Sequence, residues 1–169
     1  MPEQITREDS EVNGYKIRQI TDPKDPILNI ISNWICDWWE ESEAYEKERM
    51  LEYYKHSVLY EKLPQTYVAY KGEQAVGTFQ FGISDIFIRP DLYPWLKNVY
   101  VVPEHRCNGC ATAMLEYAVA KMCTSQYECF YLFTHLEGFY ERFGWKFIER
   151  FNSYELDMGF QRMYIFKNE

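Results

Sequence analysis

The stretch VYVVPEHRCNGCA, residues 99–111, decides how this sequence folds and what it can bind. An apolar, β-branched run ends at Pro103, which cannot continue a strand ladder, and a helical pattern of apolar residues begins at Ala111. Gly109 lies just ahead of that helix, where a phosphate can approach the backbone closely. Because a helix N-terminus presents unpaired N–H groups and the positive end of its dipole, the stretch predicts an anion site between a buried strand and a helix.

Other phosphate sites and metal sites fit this stretch poorly. A Walker loop needs Gly-Lys-Ser/Thr at this point and a dinucleotide-binding loop needs the spacing GxGxxG, and the stretch has neither. Cys107 and Cys110 have the spacing of half a zinc site, but no second Cys-x-x-Cys and no paired histidines lie nearby. We therefore predict that the protein holds no metal.

Outward from this stretch, alternating and helical patterns of apolar residues predict the other elements. Residues 1–13 lack such a pattern and are expected to form a flexible tail, so the expected single domain covers residues 14–169. The order of elements predicts a mixed α/β (α+β) sheet with helices on its faces and excludes a pure Rossmann alternation. The predicted strands are 15–20, 66–70, 75–83, 95–102, 129–134, 145–151 and 160–166, and the predicted helices are 27–38, 50–59, 111–122 and 138–143.

Composition and charge limit the partners. Hydrophobic residues make up 47% of the 169 residues and aromatic residues 18%, which is typical of a folded chain. The net charge of −8 repels polyanions, so binding to nucleic acid is not expected. No apolar run reaches the roughly 20 residues of a membrane span, and the acidic start is not typical of a secretion signal. Five cysteines without paired spacings suit reduced thiols, so we expect a cytoplasmic protein.

Two motifs carry a family resemblance. Arg106, Gly109 and Ala111 match the pattern Arg/Gln-x-x-Gly-x-Gly/Ala, here after a Val-x-x-Pro strand end. The segment FYERFGW at residues 139–145 is similar to a Tyr-x-x-x-Gly-Phe helix end. On these residues the chain resembles the GNAT superfamily of acetyl-CoA-dependent N-acetyltransferases over residues 14–166. Cys107 and Cys110 depart from the family, because many relatives carry Gly and Ile at these two positions.

The resemblance implies a fold and a reaction. The fold is a central mixed, mostly antiparallel sheet that is splayed at the middle, with helices on both faces. The reaction is transfer of an acetyl group from acetyl-CoA to a primary amine by direct attack in a ternary complex. The acceptor is expected to be a small-molecule amine, cationic in view of the acidic surface. A protein or peptide N-acetyltransferase and a non-catalytic acyl-CoA-binding module remain as alternatives, and a homodimer is left open.

The resemblance also implies roles for individual residues. Pantetheine is expected to pair with the strand edge at Val99, Tyr100 and Val101, and the Val101 amide to polarise the thioester carbonyl. Tyr140 matches the position whose hydroxyl lies near the CoA sulfur, so it is the expected general acid; the alternative is a packed aromatic side chain. The pyrophosphate is expected at the amides of a loop that consists of Arg106, Cys107, Asn108, Gly109, Cys110 and Ala111.

The general base and the acceptor side are less determined. An alkylammonium has a pKa of about 10, so a proton must leave the amine before it attacks. Asp91, His135 and Glu137 are candidates for the base by their place in the chain. Aromatic and acidic residues of the first two helices suit a cationic acceptor, although core packing and solvation are the commoner roles for such residues. They are Trp34, Asp37, Trp38, Trp39, Glu40, Glu41, Glu43, Tyr53 and Tyr54.

Overall fold

The computed structural model describes residues 10–39, 46–154 and 159–169, and within these ranges the chain forms eight strands and three α-helices. None of the helices in these ranges is long and apolar enough to cross a membrane. The strands are β1 (Ser10–Val12), β2 (Tyr15–Ile20), β3 (Gln65–Lys71), β4 (Gln74–Gly82), β5 (Trp95–Val101), β6 (Cys129–Thr134), β7 (Lys146–Asn152) and β8 (Phe160–Lys167). The helices are α1 (Ile27–Trp38), α2 (Lys47–Lys55) and α3 (Cys110–Cys123).

All eight strands belong to one sheet, in the order β1-β2-β3-β4-β5-β6-β8-β7. Neighbouring strands are antiparallel except β5 and β6, which are parallel and pair at one position, Trp95 with Tyr131. The Tyr131 amide donates to the Pro94 carbonyl at 2.9 Å, and beyond this point the two strands diverge. The structure therefore confirms the predicted mixed, mostly antiparallel sheet that is splayed at its middle.

Helices cover both faces of the sheet. Tyr117 of α3 contacts the rings of Tyr67 and Phe79, which stack on each other with centroids 4.8 Å apart. On the opposite face, Thr66 donates to the Ser57 carbonyl at 2.7 Å and Tyr53 of α2 donates to Gln80 at 3.2 Å. Because side chains alternate along a strand, β3 and β4 pack against α3 on one face and against α2 on the other.

The N-terminal boundary corrects the sequence prediction. The prediction of a flexible tail over residues 1–13 is wrong for the last part of that range. Ser10–Val12 forms a strand that pairs with β2, from Ser10↔Ile17 to Val12↔Tyr15. Asn13 and Gly14 connect the two strands with φ of 50° and 79°, the conformation of a tight hairpin turn that Asn-Gly favours. Residues 1–9 lie outside the described part of the chain.

Two predicted helices are shorter than expected. Helix α2 ends at Lys55 and not at residue 59, because His56 and Ser57 bond to carbonyls three residues back and leave the α-helical pattern. The helix predicted over residues 138–143 is a single 3-10 turn, Tyr140–Phe143, which Gly144 closes with a φ of 89°. Both segments carry only one or two turns of periodic pattern, too little to define a helix end from sequence.

Candidate active site

The candidate active site is the cleft that opens where β5 and β6 diverge. It contains a cavity of about 190 Å³. Trp38 and Trp39 at the end of α1 form one side, β5 contributes residues 96–99, and β6 with the segment after it contributes residues 132–136. Asp85, Tyr140 and Gln161 complete the lining. The splay thus brings residues from distant parts of the sequence into one cavity.

The edge of β5 presents backbone groups to this cleft. The Val102 amide donates to the Val76 carbonyl of β4 at 2.9 Å, so the next residue back, Val101, directs its N–H and C=O away from β4. Val99, two residues further back, faces the same way. Tyr100 lies between them and pairs with Thr78 of β4. Of the three predicted pantetheine-binding residues, Val99 and Val101 therefore direct their backbone groups away from β4, and Val99 lines the cavity, whereas Tyr100 faces β4.

A β-bulge changes the course of β5 beside the cavity. Tyr100 pairs with Thr78 and Lys97 with Gln80, so Asn98 and Val99 together face one residue of β4. Asn98 has a φ of 52°, in the left-handed region that asparagine tolerates better than most residues. The sequence analysis missed this bulge. Its signal is the pair Lys97-Asn98, two polar residues within a run otherwise typical of a buried strand.

The loop before α3 has the geometry of a phosphate cradle. Gly109 is the N-cap of α3 with a φ of 85°, and a side chain there would meet no atom within 4 Å. The Ala113 amide donates to the Gly109 carbonyl at 3.0 Å, so the intrahelical bonds begin at this point. The amides of Cys110 and Ala111, in the first turn, have no intrahelical acceptor. Open space beside a helix N-terminus is what an anionic group requires.

Two side chains anchor this loop. The Tyr15 hydroxyl donates to the Asn108 carbonyl at 2.8 Å. The Arg106 side chain donates to the Val101 carbonyl at 2.9 Å and lies 5.6 Å from the centre of the Tyr100 ring. The Arg106 amide donates to the Pro103 carbonyl at 3.3 Å. Arg106 therefore ties the loop to β5.

Replacing Tyr15 by phenylalanine is expected to weaken acetyl-CoA binding about threefold to tenfold, because one hydrogen bond contributes about 0.5–1.5 kcal/mol. The rate at saturating acetyl-CoA is expected to stay the same. Calorimetric titration with acetyl-CoA measures the change. Tyr67→Phe is the matched control. It also removes one tyrosine hydroxyl, which donates to Gln65 at a distance of 3.0 Å and does not bond to the loop. Equal effects of the two variants on affinity would contradict an anchoring role for Tyr15.

Tyr140 lies in the 3-10 turn with its side chain lining the cavity. It is 8% exposed and packs edge-on against Phe139 and Trp145. Among the described residues its hydroxyl has no hydrogen-bond partner. Burial raises the pKa of Tyr140 to about 12. The phenol is therefore protonated at neutral pH, the form in which it can donate a proton or a hydrogen bond.

Of the three candidate bases, the structure brings His135 to the cavity. Its exposed side chain is part of the lining. Glu137 is 77% exposed and pairs with Arg162 at 3.6 Å. Asp91 accepts two hydrogen bonds from Arg89, at 2.9 and 2.8 Å, which lower its pKa. Neither of these two carboxylates lines the cavity.

A further carboxylate, Asp85, lines the cavity and was missed by the sequence analysis. It lies 3.3 Å from Lys97 Nζ, and both side chains are largely buried. Burial lowers the pKa of Lys97, the neighbouring Asp85 carboxylate raises it, and the net shift is upward, so Lys97 is charged. The loop between β4 and β5 carries no regular pattern, so only the fold reveals that Asp85 returns to the cleft.

Some of the residues predicted to form the acceptor side lie at the cleft, and others do not. Trp38 and Trp39 line the cavity, and the rings of Trp34 and Trp38 pack on Tyr100 at 5.8 and 5.5 Å. Tyr54, a residue of α2, is fully buried. The remaining members lie elsewhere: Asp37 pairs loosely with Lys47 at 3.9 Å, Tyr53 donates to Gln80, and Glu40, Glu41 and Glu43 lie outside the described residues.

The predicted absence of a metal can be tested directly. In residues 10–39, 46–154 and 159–169, no three His, Cys, Asp or Glu side chains are arranged to hold a metal ion. Cys107 is exposed, whereas burial raises the pKa of Cys110 to about 11 and keeps its thiol protonated, the form that does not ligate zinc. Acetyl transfer is expected to persist fully after exhaustive dialysis against a chelator. Activity lost on chelation and restored by zinc would contradict the prediction.

Comparison of the sequence with models of known protein families identifies one family. Residues 31–148 match the family model described as "Acetyltransferase (GNAT) domain". No curated protein matches the chain by sequence.

Solved structures resemble the chain at low identity. One is yncA from Salmonella typhimurium, assigned as an acetyltransferase and solved with its cofactor acetyl-CoA. Its sequence is 14% identical to this chain and the TM-score is 0.69. The match covers 93% of this chain and 95% of the yncA chain. A chimera of the spermidine N-acetyltransferase SpeG from Vibrio cholerae and hSSAT is 17% identical with a TM-score of 0.70, covering 92% and 96%. An acetyl transferase from Salmonella typhimurium that modifies the N-terminal serine of the 50S ribosomal protein L7/L12 is 11% identical with a TM-score of 0.69, covering 96% and 99%. At these identities the likeness shows a shared fold.

Proposed function

The chain belongs to the GNAT family of acetyltransferases, and on that premise we propose that it transfers the acetyl group of acetyl-CoA to a primary amine of a small, cationic acceptor. The observation that carries this proposal is one cavity lined by both residues 96–99 of β5 and the side chain of Tyr140. Bound acetyl-CoA supplies the thioester there. A strand edge and a phenol side by side can hold an acyl group and stabilise the thiolate that leaves it.

The residues present fit the parts of acetyl-CoA. The Val99 and Val101 backbone groups can pair with the amides of pantetheine as a further strand would. The amides from Cys107 to Ala111 are proposed to bind the pyrophosphate beside Gly109, where a side chain would meet no other atom within 4 Å. Val99 lines the cavity together with Tyr140 and Val101 does not, so the Val99 N–H is better placed than the predicted Val101 N–H to donate to the thioester carbonyl.

Tyr140 is proposed as the general acid. Its raised pKa keeps the proton on the hydroxyl until the thiolate forms. The turn that carries it is held in place by Glu141, which accepts a 2.6 Å hydrogen bond from the Tyr164 hydroxyl. Besides Tyr140 and the charged Lys97, the titratable side chains at the cavity are His135 and Asp85, and Asp85 is paired with Lys97. His135 is therefore the better proposed base, acting directly or through water.

The acceptor is proposed to enter beside Trp38 and Trp39. Exposed aromatic faces attract ammonium groups, and the net charge of −8 favours the approach of a cation. The solved spermidine acetyltransferase chimera of the same fold acts on such a substrate. The five cysteines are free thiols, which agrees with the proposed cytoplasmic location.

A protein or peptide amine is the second candidate acceptor. The side chains of Ile83 and Phe87, which flank the cavity residue Asp85 in sequence, are 58% and 84% exposed. Exposed apolar side chains beside a cleft suit an extended peptide. A non-catalytic acyl-CoA-binding module would have no use for a buried phenol without a partner, and it ranks third.

A screen of acetyl-CoA consumption over amine classes tests the proposal. It compares polyamines, aminoglycosides, amino acids and peptides with free N-termini, each against an acceptor-free blank. We expect turnover with at least one small cationic amine and little with peptides. Turnover confined to peptides would favour the second candidate, and acetyl-CoA binding without turnover on any amine would favour the binding module.

A further inference from the structure

A buried polar network lies behind the bulge of β5, on the face covered by α2. The Asn98 side-chain amide donates to Gln80 Oε1 at 2.6 Å, and Gln80 Nε2 donates to Thr66 Oγ1 at 2.9 Å. Thr66 donates in turn to the Ser57 carbonyl at 2.7 Å. Gln80 and Thr66 are fully buried. The network spans β5, β4, β3 and the end of α2, and it ends at the one residue of β5 with a positive φ.

The chemistry of the network determines the direction of every hydrogen bond in it. The Ser57 carbonyl can only accept, so the single hydroxyl proton of Thr66 points to it. Thr66 Oγ1 must then accept from Gln80, which places the Gln80 NH₂ group on that side and its oxygen toward Asn98. Asn98 must therefore donate. The Tyr53 hydroxyl donates to the same Gln80 oxygen at 3.2 Å, so a side chain that cannot donate at position 98 leaves this oxygen with the longer of its two hydrogen bonds.

The hydrogen bond between Asn98 and Gln80 affects the direction of the backbone N–H of Val99. Because successive residues of a strand alternate in direction, a change of one residue in register reverses which backbone groups face the cleft. The bulge separates two registers, Lys97↔Gln80 before it and Tyr100↔Thr78 after it. The direction of the Val99 N–H therefore depends on Asn98 keeping its left-handed conformation, with a φ of 52°.

We propose that Asn98 and Gln80 are positioning residues for acetyl transfer: their buried hydrogen bond holds the bulge that directs the Val99 amide into the cavity beside Tyr140. This inference rests on the proposed function and deepens it. The network acts through Val99 and touches no substrate itself. A purely structural network would contribute to folding without affecting the reaction rate, and the two roles predict different kinetics.

Two variants remove the hydrogen bond in different ways. Asn98→Gly keeps the positive φ accessible and removes the donor, and Gln80→Met keeps the approximate shape and removes the acceptor. We expect each to lower kcat about tenfold, a part of the hundredfold or more that losing such a donor typically costs. The affinity for CoA, which lacks the acyl carbonyl, is expected to change less than about threefold. The double variant is expected to be no slower than the slower single variant, because both remove the same interaction.

Thr78→Val is the matched control. It removes a fully buried hydroxyl of β4, which bonds to the Tyr67 carbonyl at 2.8 Å and takes no part in the network at the bulge. We expect it to lower the melting temperature as the other variants do and to leave kcat unchanged. Folded Asn98→Gly and Gln80→Met proteins with the kcat of the Thr78→Val control would overturn the proposal.

A second measurement requires no amine acceptor, so it separates this proposal from the proposed function. The ¹⁵N–¹H resonance of Val99 is followed on titration with acetyl-CoA and with CoA. We expect the Val99 resonance to shift more with acetyl-CoA, and we expect this difference to vanish in Asn98→Gly. If neither ligand binds, the proposed function fails; if both bind and the Val99 resonance does not distinguish them, the positioning role fails.

Discussion

Replacing Tyr140 by phenylalanine is expected to lower kcat about hundredfold, the low end of what a positioned proton donor contributes, because a thiolate is already a good leaving group. The affinity for acetyl-CoA is expected to change little, since the hydroxyl interacts with a charge that develops only during the reaction. The substitution keeps the ring that packs against Phe139 and Trp145. The hydroxyl has no hydrogen-bond partner among the described residues, so the melting temperature should stay nearly constant.

Steady-state kinetics at saturating acetyl-CoA, under conditions where chemistry limits the rate, measure this effect. The control is Tyr67→Phe, which removes a hydroxyl that bonds to Gln65 at 3.0 Å and belongs to a residue outside the cavity lining. It is expected to lower the melting temperature and to reduce kcat much less. A stable Tyr140→Phe protein with unaltered kcat would show that Tyr140 is a packed aromatic side chain.

Replacing Gly109 by glutamate is expected to weaken acetyl-CoA binding at least about hundredfold. A carboxylate about 4 Å from a phosphate costs about 4 kcal/mol at an effective dielectric constant of about 20. The space beside Gly109 is open in the folded protein, so the new side chain enters the cradle without displacing other atoms. Calorimetric titration with acetyl-CoA measures the loss.

Gly72→Glu is the matched control for this substitution. Gly72 lies in the turn between β3 and β4 with a positive φ of 60°, and a side chain added there would likewise meet no atom within 4 Å. Both variants carry the same added charge and a left-handed strain of about 1–2 kcal/mol, so their melting temperatures should fall by similar amounts. Equal acetyl-CoA affinities of the two variants would contradict a phosphate cradle at Gly109.

Much of the fold follows from local pattern. The run at residues 95–102, the glycine ahead of α3 and the apolar face of α3 are all short-range signals, and the strand and the helix that they predict agree with β5 and α3. The strand at Ser10–Val12 was missed although its Asn-Gly turn is a strong hairpin signal, because three residues are too few to show an alternating pattern. Short elements obtain their stability from their neighbours in the sheet, which no local pattern contains.

The site is less predictable than the fold, for a physical reason. The proposed cradle and Tyr140 lie on motifs of a few adjacent residues, so the sequence alone was enough to propose them. The pairing of Asp85 with Lys97 and that of Asn98 with Gln80 depend on contacts between residues 12 and 18 positions apart. Such contacts depend on register, and register depends on a bulge that only the folded sheet reveals.

The divergence of β5 from β6 has a consequence for the heat tolerance of the protein. Two strands that share one residue pair leave a row of peptide groups without the bonds that a continuous sheet would give them. A molecule that fills this row binds the folded chain and has nothing equivalent to bind in the unfolded one. By mass action, its supply shifts the unfolding equilibrium, by about 2.7 kcal/mol at a concentration about one hundred times its dissociation constant. We therefore expect the melting temperature of the protein to rise with the concentration of acetyl-CoA, its proposed co-substrate.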